Sequence, residues 1–340
     1  MKAVQIEKYN KKLEVQMNNI EIPELEPHEV LVKVAYAAIN PLEKLIITGS
    51  VKLIQDYRMP TTLGNELTGT VTKIGSQVTD FQIGDDIYTR LPIEKIGAFA
   101  EYVAVDTNAI AKLPNNLNFK TGAAAPLTGL TAYQTITEEL EAQPGETVFI
   151  PGGSGSFGQM AVPIAKSLGL KVIVSGSPRL KEQFLAKGVD QYIDYKTENY
   201  WEILSDIDYV IDTLGADEFD KELSVMKPGG TIVSLINAPN KHFAEKNGFS
   251  TFKKMLFSVA GKKFDKKAKQ KDIDYRFIFV RSSGEQLKLL SDIIERDNII
   301  PDVDEKVFTM SEIDEALDYS FNQHTKGKVL IKVDETLDEV

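Results

Sequence analysis

The sequence contains no cysteine and only three histidines among its 340 residues. Without cysteine the chain can form neither disulfide bonds nor thiolate metal sites, so no metal is expected. No apolar run reaches the length of about 18 residues that spans a bilayer, and neither a membrane span nor a membrane partner is predicted. The chain begins with a strand-like pattern instead of a signal peptide, so we expect a cytoplasmic protein.

Basic residues are fewer than acidic ones, with 39 Lys and Arg against 50 Asp and Glu, which gives a formal charge of −11. This balance argues against nucleic acid as a partner, because phosphate contacts need clustered positive charge. One local exception is the lysine-rich segment 253–271, which also carries apolar residues. We interpret it as the solvated face of an amphipathic helix.

The length suggests two domains, and the pattern of predicted strands and helices changes near residue 123. Before that point, residues 30–36, 68–74 and 99–105 are strand-like runs separated by Gly, Asp and Pro. This pattern predicts a β-rich, antiparallel, barrel-like domain.

After residue 123, helix-period segments alternate with short apolar strands, which predicts an α/β doubly wound parallel sheet. A helix is predicted at 285–295, and the tail adds a strand, a helix from Ser311 and a last strand at 328–333. We expect the tail to return to the first domain, so the predicted domains are 1–122 with 299–340, and 123–298. The six predicted strands of the sheet are 147–150, 171–175, 191–195, 209–213, 231–235 and 276–280.

A glycine-rich turn follows the first of these strands and precedes a helical pattern. Its spacing, G-x-G-x-x-G, allows a tight turn, close approach of backbone amides to a pyrophosphate, and close packing of helix on strand. The helix N-terminus also favours anions. The residues predicted to bind a dinucleotide here are Gly153, Ser154, Gly155, Ser156, Phe157 and Gly158.

The end of the second strand of the sheet predicts NADPH as the cofactor. NAD-binding enzymes place Asp or Glu there to bind the ribose 2′-OH, whereas this chain has Ser175, followed by Gly176 and Ser177. Arg179 follows closely, and a guanidinium binds a phosphate in a bidentate way. Hydroxyls and a guanidinium would accommodate the 2′-phosphate that a carboxylate would repel.

Several ordered segments together resemble one known family. They are residues 39–41, 63–71, 97–103, 124–132, 152–158, 227–230 and 326–328. In sequence and spacing they are similar to the medium-chain dehydrogenase/reductase superfamily, in its zinc-free NADPH:quinone oxidoreductase (zeta-crystallin-like) branch. The resemblance implies a GroES-like catalytic domain, a Rossmann NADP-binding domain, a cleft between them, and a homodimer.

The resemblance also implies the chemistry. Where the zinc alcohol dehydrogenases of the superfamily have Gly-His-Glu, this chain has Gly64-Asn65-Glu66. Hydride from NADPH is therefore expected to reach an acceptor that is already electrophilic, such as a quinone or an α,β-unsaturated carbonyl. Asn40 and Tyr57 are the expected catalytic residues. The further cofactor contacts that the resemblance implies are Asn40, Thr131, Tyr195, Leu235, Phe279 and Lys328.

Two alternatives stay open at this point. The first is an enoyl-thioester reductase, although the place of that group's proton-donating tyrosine falls near Val51, which has no hydroxyl; Tyr57 is the nearest tyrosine. The second is a non-catalytic NADPH-binding protein on the same fold. The sequence does not identify the acceptor.

Overall fold

The structure, a computed structural model, describes residues 1–337. Its chain divides into two compact units, one made of Met1–Leu130 with Arg281–Val340 and the other of Thr131–Val280. The domain boundaries predicted from the sequence stay a prediction, because a unit defined by contacts is not yet shown to fold by itself.

One mixed sheet and one antiparallel sheet build the first unit. The larger sheet has the order β15-β16-β3-β5-β6-β8, with β7 also paired to β3, and the smaller has the order β2-β1-β4. Strand β3 pairs antiparallel with β5, β7 and β16, so the last strand of the chain does return to this unit. The strands are β1 Lys2–Ile6, β2 Gln16–Asn19, β3 Glu29–Ala38, β4 Thr61–Thr62, β5 Glu66–Ile74, β6 Asp86–Arg90, β7 Tyr102–Asp106, β8 Ile110–Lys112, β15 Val303–Thr309 and β16 Lys328–Lys332.

A six-stranded parallel sheet forms the centre of the second unit, in the order β11-β10-β9-β12-β13-β14. The first strand of this sheet, β9, lies in the middle. Strands β10 and β11 extend the sheet on one side of β9 and β12, β13 and β14 on the other, so the strand order reverses between β9 and β12. This arrangement confirms the predicted doubly wound sheet. The strands are β9 Thr147–Ile150, β10 Lys171–Gly176, β11 Gln191–Asp194, β12 Ile207–Asp212, β13 Met226–Ser234 and β14 Asp274–Phe277.

Helices connect the strands in the manner that apolar periodicity predicts. The helices are α1 Pro41–Ile47, α2 Phe119–Gly122, α3 Pro126–Gln134, α4 Ser156–Ser167, α5 Lys181–Ala186, α6 Tyr200–Ile203, α7 Phe219–Ser224, α8 Lys241–Lys246, α9 Thr251–Lys269, α10 Gly284–Arg296 and α11 Ile313–Asn322. A π-helix, Thr135–Glu139, directly continues α3. Within residues 1–337, none of these helices has the length and apolar content that a bilayer crossing requires.

The parallel strands are apolar because both faces of the sheet are covered. Phe149, Val210 and Ile232 are fully buried in one cluster with residues from the flanking helices. Helix α9 carries the lysine-rich segment and buries Phe257 and Phe264. The predicted helix is therefore present, and its lysines lie on a helix that is packed along one side only.

Candidate functional site

The glycine turn lies between β9 and α4, as predicted. Gly152 has a φ of +65°, in the left-handed region that glycine tolerates best. A Cβ on Gly158 would overlap the carbonyl oxygen of Gly153, so the first turn of α4 packs directly on the preceding loop. Gly155 is the N-cap of α4, and a Cβ there would meet nothing within 4 Å. The turn thus presents the N-terminus of a 12-residue helix beside open space.

Hydroxyl groups connect the glycine turn to the next strand. Ser175, which is only 3% exposed, accepts a hydrogen bond from the Gly152 backbone N–H at 3.1 Å. The Ser154 hydroxyl accepts one from the Ser177 N–H at 3.2 Å. Ser175 therefore stabilises the turn itself, while Ser177 lies at the open end of β10. Gly176 leaves no space for a side chain, because its Cβ would be 2.5 Å from the Ser154 Cβ.

Two residues at the carboxyl ends of the parallel strands, where the glycine turn also lies, are exposed to solvent. Arg179 is exposed in a short 3-10 helix after β10, and the structure gives its guanidinium no ion-pair partner within residues 1–337. Tyr195 follows β11 and is 59% exposed, with its backbone N–H 3.4 Å from the Gly176 carbonyl oxygen. Both residues therefore lie at the carboxyl ends of neighbouring parallel strands, with the glycine turn after the next strand.

The other predicted cofactor contacts of the second unit are more dispersed. Leu235 directly follows β13, and its N–H donates to the carbonyl oxygen of Asp212 at 3.0 Å. Phe279 is half-buried shortly after β14. Because all six strands are parallel, both lie on the same sheet edge as the glycine turn. Thr131 is half-buried within α3.

A buried polar network in the first unit contains Asn40 and Lys328. Asn40 is the N-cap of α1 and is 1% exposed. Its Nδ2 donates to Glu66 Oε1 at 2.9 Å, and its Oδ1 accepts from Lys328 Nζ at 2.6 Å. Lys328 Nζ also lies 3.0 Å from Glu66 Oε1. The structure thus places Lys328, predicted to contact the cofactor, in a buried ion pair that holds the Asn40 amide in one orientation.

Glu43 extends this network below α1. Its Oε2 accepts the Asn40 backbone N–H at 2.5 Å, and its Oε1 accepts from Asn65 Nδ2 at 2.6 Å. Complete burial raises the pKa of Glu43 to about 7, against the lowering effect of these two donors. Asn65, which occupies the position of the histidine in Gly-His-Glu, therefore supports a buried carboxyl group.

Tyr57 and Arg90 are buried with hydrogen-bonding atoms that lack partners. The Tyr57 hydroxyl, on a residue 8% exposed, has no partner within residues 1–337. Burial raises the pKa of Tyr57, while the Arg90 charge partly opposes this effect. Arg90 is fully buried, and its Nε and Nη2 also lack partners in the described chain. Burial lowers the pKa of Arg90 to about 10, so it remains a cation at neutral pH.

Sequence reasoning singled out Asn40, Tyr57 and Lys328 but missed Glu43 and Arg90. Glu43 carries a usable signal, because an acidic residue three positions after an Asn-Pro helix start is a capping-box pattern. Arg90 carries none, since its burial depends on how β6 pairs with β5. The described residues contain no group of three or more His, Asp or Glu that could hold a metal ion.

Comparisons with known proteins match both parts of the chain. The alcohol dehydrogenase GroES-like domain model matches residues 26–115, and the zinc-binding dehydrogenase model matches residues 187–331. The chain is 30% identical over 323 residues to the 2-methylene-furan-3-one reductase of Solanum lycopersicum, covering 92% of this chain and 74% of the relative. The same identity and coverage relate it to the NADPH-dependent alkenal/one oxidoreductase, chloroplastic, of Arabidopsis thaliana.

A solved structure shares the fold along nearly the whole chain. The quinone oxidoreductase from Coxiella burnetii superposes with a TM-score of 0.81 at 27% sequence identity. The match covers 98% of this chain and 99% of that one. Both the GroES-like and the Rossmann-type architecture therefore have counterparts in an experimentally determined structure.

Proposed function

Since the chain belongs to the medium-chain dehydrogenase/reductase superfamily, in the branch of quinone and alkenal/one oxidoreductases, we propose that it reduces quinones or α,β-unsaturated carbonyls with NADPH. The observation that carries the proposal is the edge of the second unit's sheet. There a glycine turn and a helix N-terminus lie beside an exposed arginine, and no acidic side chain takes the place of Ser175. The relatives named above include an NADPH-dependent enzyme.

The residues at this edge fit a phosphorylated dinucleotide. Residues 153–158 would hold the pyrophosphate, because a side chain at Gly158 could not be accommodated and the space beyond Gly155 is open. Ser177, Arg179 and Tyr195 would surround the 2′-phosphate, with a hydroxyl, a guanidinium and a phenol as donors. Thr131, Leu235 and Phe279 stay predicted contacts for the rest of the cofactor. NADPH supplies the hydride when it is bound.

Asn40 and Tyr57 are the proposed catalytic residues of the first unit. The Asn40 amide is fixed by Glu66 and Lys328, so it would orient substrate or cofactor by shape and dipole. The Tyr57 hydroxyl has no partner in the described chain, and its raised pKa keeps the proton on it at neutral pH. It would therefore donate a hydrogen bond to the oxygen that gains negative charge after hydride transfer.

The decisive experiment follows NADPH oxidation by absorbance with a panel of neutral quinones and enones. We expect turnover with at least one member, and Tyr57→Phe is expected to lower kcat while the affinity for NADPH stays unchanged. If NADPH binds but no member of the panel is reduced, the alternative of a non-catalytic NADPH-binding protein replaces the proposal. Reduction of a crotonyl-type thioester in preference to every quinone and enone would favour the enoyl-thioester reductase.

The proposal also includes the homodimer that the resemblance implied. Sedimentation equilibrium of the purified protein tests it, and a mass equal to one chain at micromolar concentration would contradict it. The cytoplasmic location expected from the sequence stays a prediction, to be tested by fractionation of the source cells.

A further inference from the structure

A buried guanidinium in the first unit has one unoccupied edge. Arg90 ends strand β6 and is 0% exposed. Its Nη1 donates to the carbonyl oxygen of Leu91, whereas Nε and Nη2 have no hydrogen-bond partner within residues 1–337. In a guanidinium, the Nε–H and one Nη2–H point in parallel from the same edge. This is the edge that binds the two oxygens of a carboxylate side by side.

The nearby buried carboxylates are already occupied by other donors. Glu66 is the residue opposite Arg90 in the pairing of β5 with β6. One of its oxygens lies 3.0 Å from Lys328 Nζ, and the other accepts a backbone N–H at 2.7 Å. Both oxygens of Glu43 likewise accept hydrogen bonds, at 2.5 and 2.6 Å. The parallel donors of Arg90 are therefore not used by these carboxylates.

Tyr57 is a second buried side chain of the first unit with an unpartnered donor in the described chain. Burial raises the pKa of Tyr57, and the Arg90 charge acts in the opposite direction. The Tyr57 hydroxyl lacks a partner in the described chain. Tyr57 belongs to residues 55–58, which have no regular secondary structure, and its neighbours Asp56 and Arg58 are exposed.

We propose that Arg90 binds a carboxylate group of a small molecule, and that the preferred acceptor is an enone carrying such a group. The second half rests on the proposed function, whereas the first half does not. Arg90 Nε and Nη2 would donate to the two carboxylate oxygens, while the Tyr57 hydroxyl stays available for the oxygen that gains negative charge after hydride transfer. A neutral ester of the same acceptor offers no negative charge and only one comparable oxygen, so the site selects acid over ester.

Binding without reaction tests the first half. Isothermal titration calorimetry of the full chain, without NADPH, compares levulinate with its methyl ester. We expect levulinate to bind at least about 10-fold more tightly, because charge-assisted hydrogen bonds distinguish the two. Arg90→Met should abolish the difference, whereas Arg58→Met, which changes an exposed arginine beside Tyr57, should preserve it. Equal affinities for acid and ester in the unmodified protein, or no binding of either, would overturn the site.

Turnover tests the second half. The kcat/KM for 4-oxopent-2-enoate is compared with that for its methyl ester, and the acid is expected to be preferred by roughly 10-fold or more. Arg90→Lys keeps the charge but loses the parallel donors, so it should reduce this ratio towards one. The comparison of acid with ester in the unmodified protein needs no variant and decides the question even if Arg90 variants fail to fold.

The two proposals fail in different ways. If levulinate binds as expected but no quinone or enone is reduced, the carboxylate site stands and the proposed function fails. If neutral enones are reduced while acid and ester give equal kcat/KM values, the proposed function stands and a carboxylate-bearing acceptor is ruled out.

Discussion

Glu43 is a buried carboxyl group whose burial and whose hydrogen bonds change its pKa in opposite directions. It caps the first turn of α1 through the Asn40 N–H and also accepts from Asn65. These bonds favour the carboxylate, whereas complete burial favours the protonated acid and raises the pKa to about 7. The Asn65 Oδ1 has no partner in the described chain, and rotation of this amide would let it accept a hydrogen bond from the protonated Glu43 carboxyl group. Glu43 is thus a buried group that titrates near physiological pH.

Glu43 should make the stability of the protein depend on pH. Its folded pKa lies above the unfolded value, so its stabilising contribution is fully present below about pH 4.5 and is lost as the pH rises through about 7. The loss is about 3 kcal/mol, from a shift of roughly 2.5 units. Glu43→Gln cannot titrate, so urea unfolding from pH 4.5 to 8 should show the wild-type advantage shrinking with pH. A difference that is constant, or that grows with pH, would contradict this expectation.

Arg179 should discriminate between the two nicotinamide cofactors. Its guanidinium is exposed and has no ion-pair partner in the described chain, so truncation costs little stability. Only NADPH carries the 2′-phosphate, and loss of a charge-assisted contact should weaken NADPH roughly 10-fold while NADH changes little. Fluorescence titration of Arg179→Ala with both cofactors measures this, with Arg58→Ala as the control. Equal weakening of NADPH and NADH would refute the assignment.

In the turn from β9 to α4, one glycine is needed for packing and another is proposed to lie next to the cofactor. Gly158→Ala places a methyl group against the Gly153 carbonyl and should destabilise the protein by about 1–3 kcal/mol, because the helix must move. Gly155→Ala meets open space and should change stability by less than about 0.5 kcal/mol. Its methyl group would nevertheless hinder a pyrophosphate, so NADPH should bind several-fold more weakly. Thermal unfolding and cofactor titration of both variants decide this, and wild-type NADPH affinity in Gly155→Ala would remove the turn from the site.

The elements differ in how much the sequence reveals of them. The parallel strands could be predicted because strands buried on both faces are runs of apolar residues, as in Thr147–Ile150. The glycine turn could be predicted because its spacing between a strand and a helical pattern is itself a local signal. Arg90 could not, because a charged residue at a strand end normally indicates exposure, and its burial depends on pairing with β5, which no local pattern encodes. The ion pair of Lys328 with Glu66 joins residues 262 positions apart and has no local signal either.

For the molecule as a whole, the two ends of the chain must meet to complete the first unit. Residues 281–337 add α10, α11, β15 and β16 to a unit that begins at Met1. Strand β16 pairs with β3 through Leu330, Ile331 and Lys332, and at its start Lys328 reaches Asn40. The unit is therefore discontinuous in sequence, because Thr131–Val280 forms the other unit. The buried ion pair of Lys328 with Glu66 adds a specific polar contact to the apolar contacts that β16 makes in the first unit.

A double-mutant cycle on Lys328 and Glu66 measures how much their interaction contributes to the free energy of unfolding. Lys328→Met should destabilise the protein by about 3–5 kcal/mol, because the fully buried Glu66 then lacks a compensating cation. Lys328→Met combined with Glu66→Gln should be more stable than Lys328→Met alone, since no uncompensated charge remains buried. Urea unfolding followed by circular dichroism gives the four free energies. Additive effects of the two substitutions would mean that the pair is not coupled, and that β16 is held to the first unit by its apolar contacts and backbone hydrogen bonds alone.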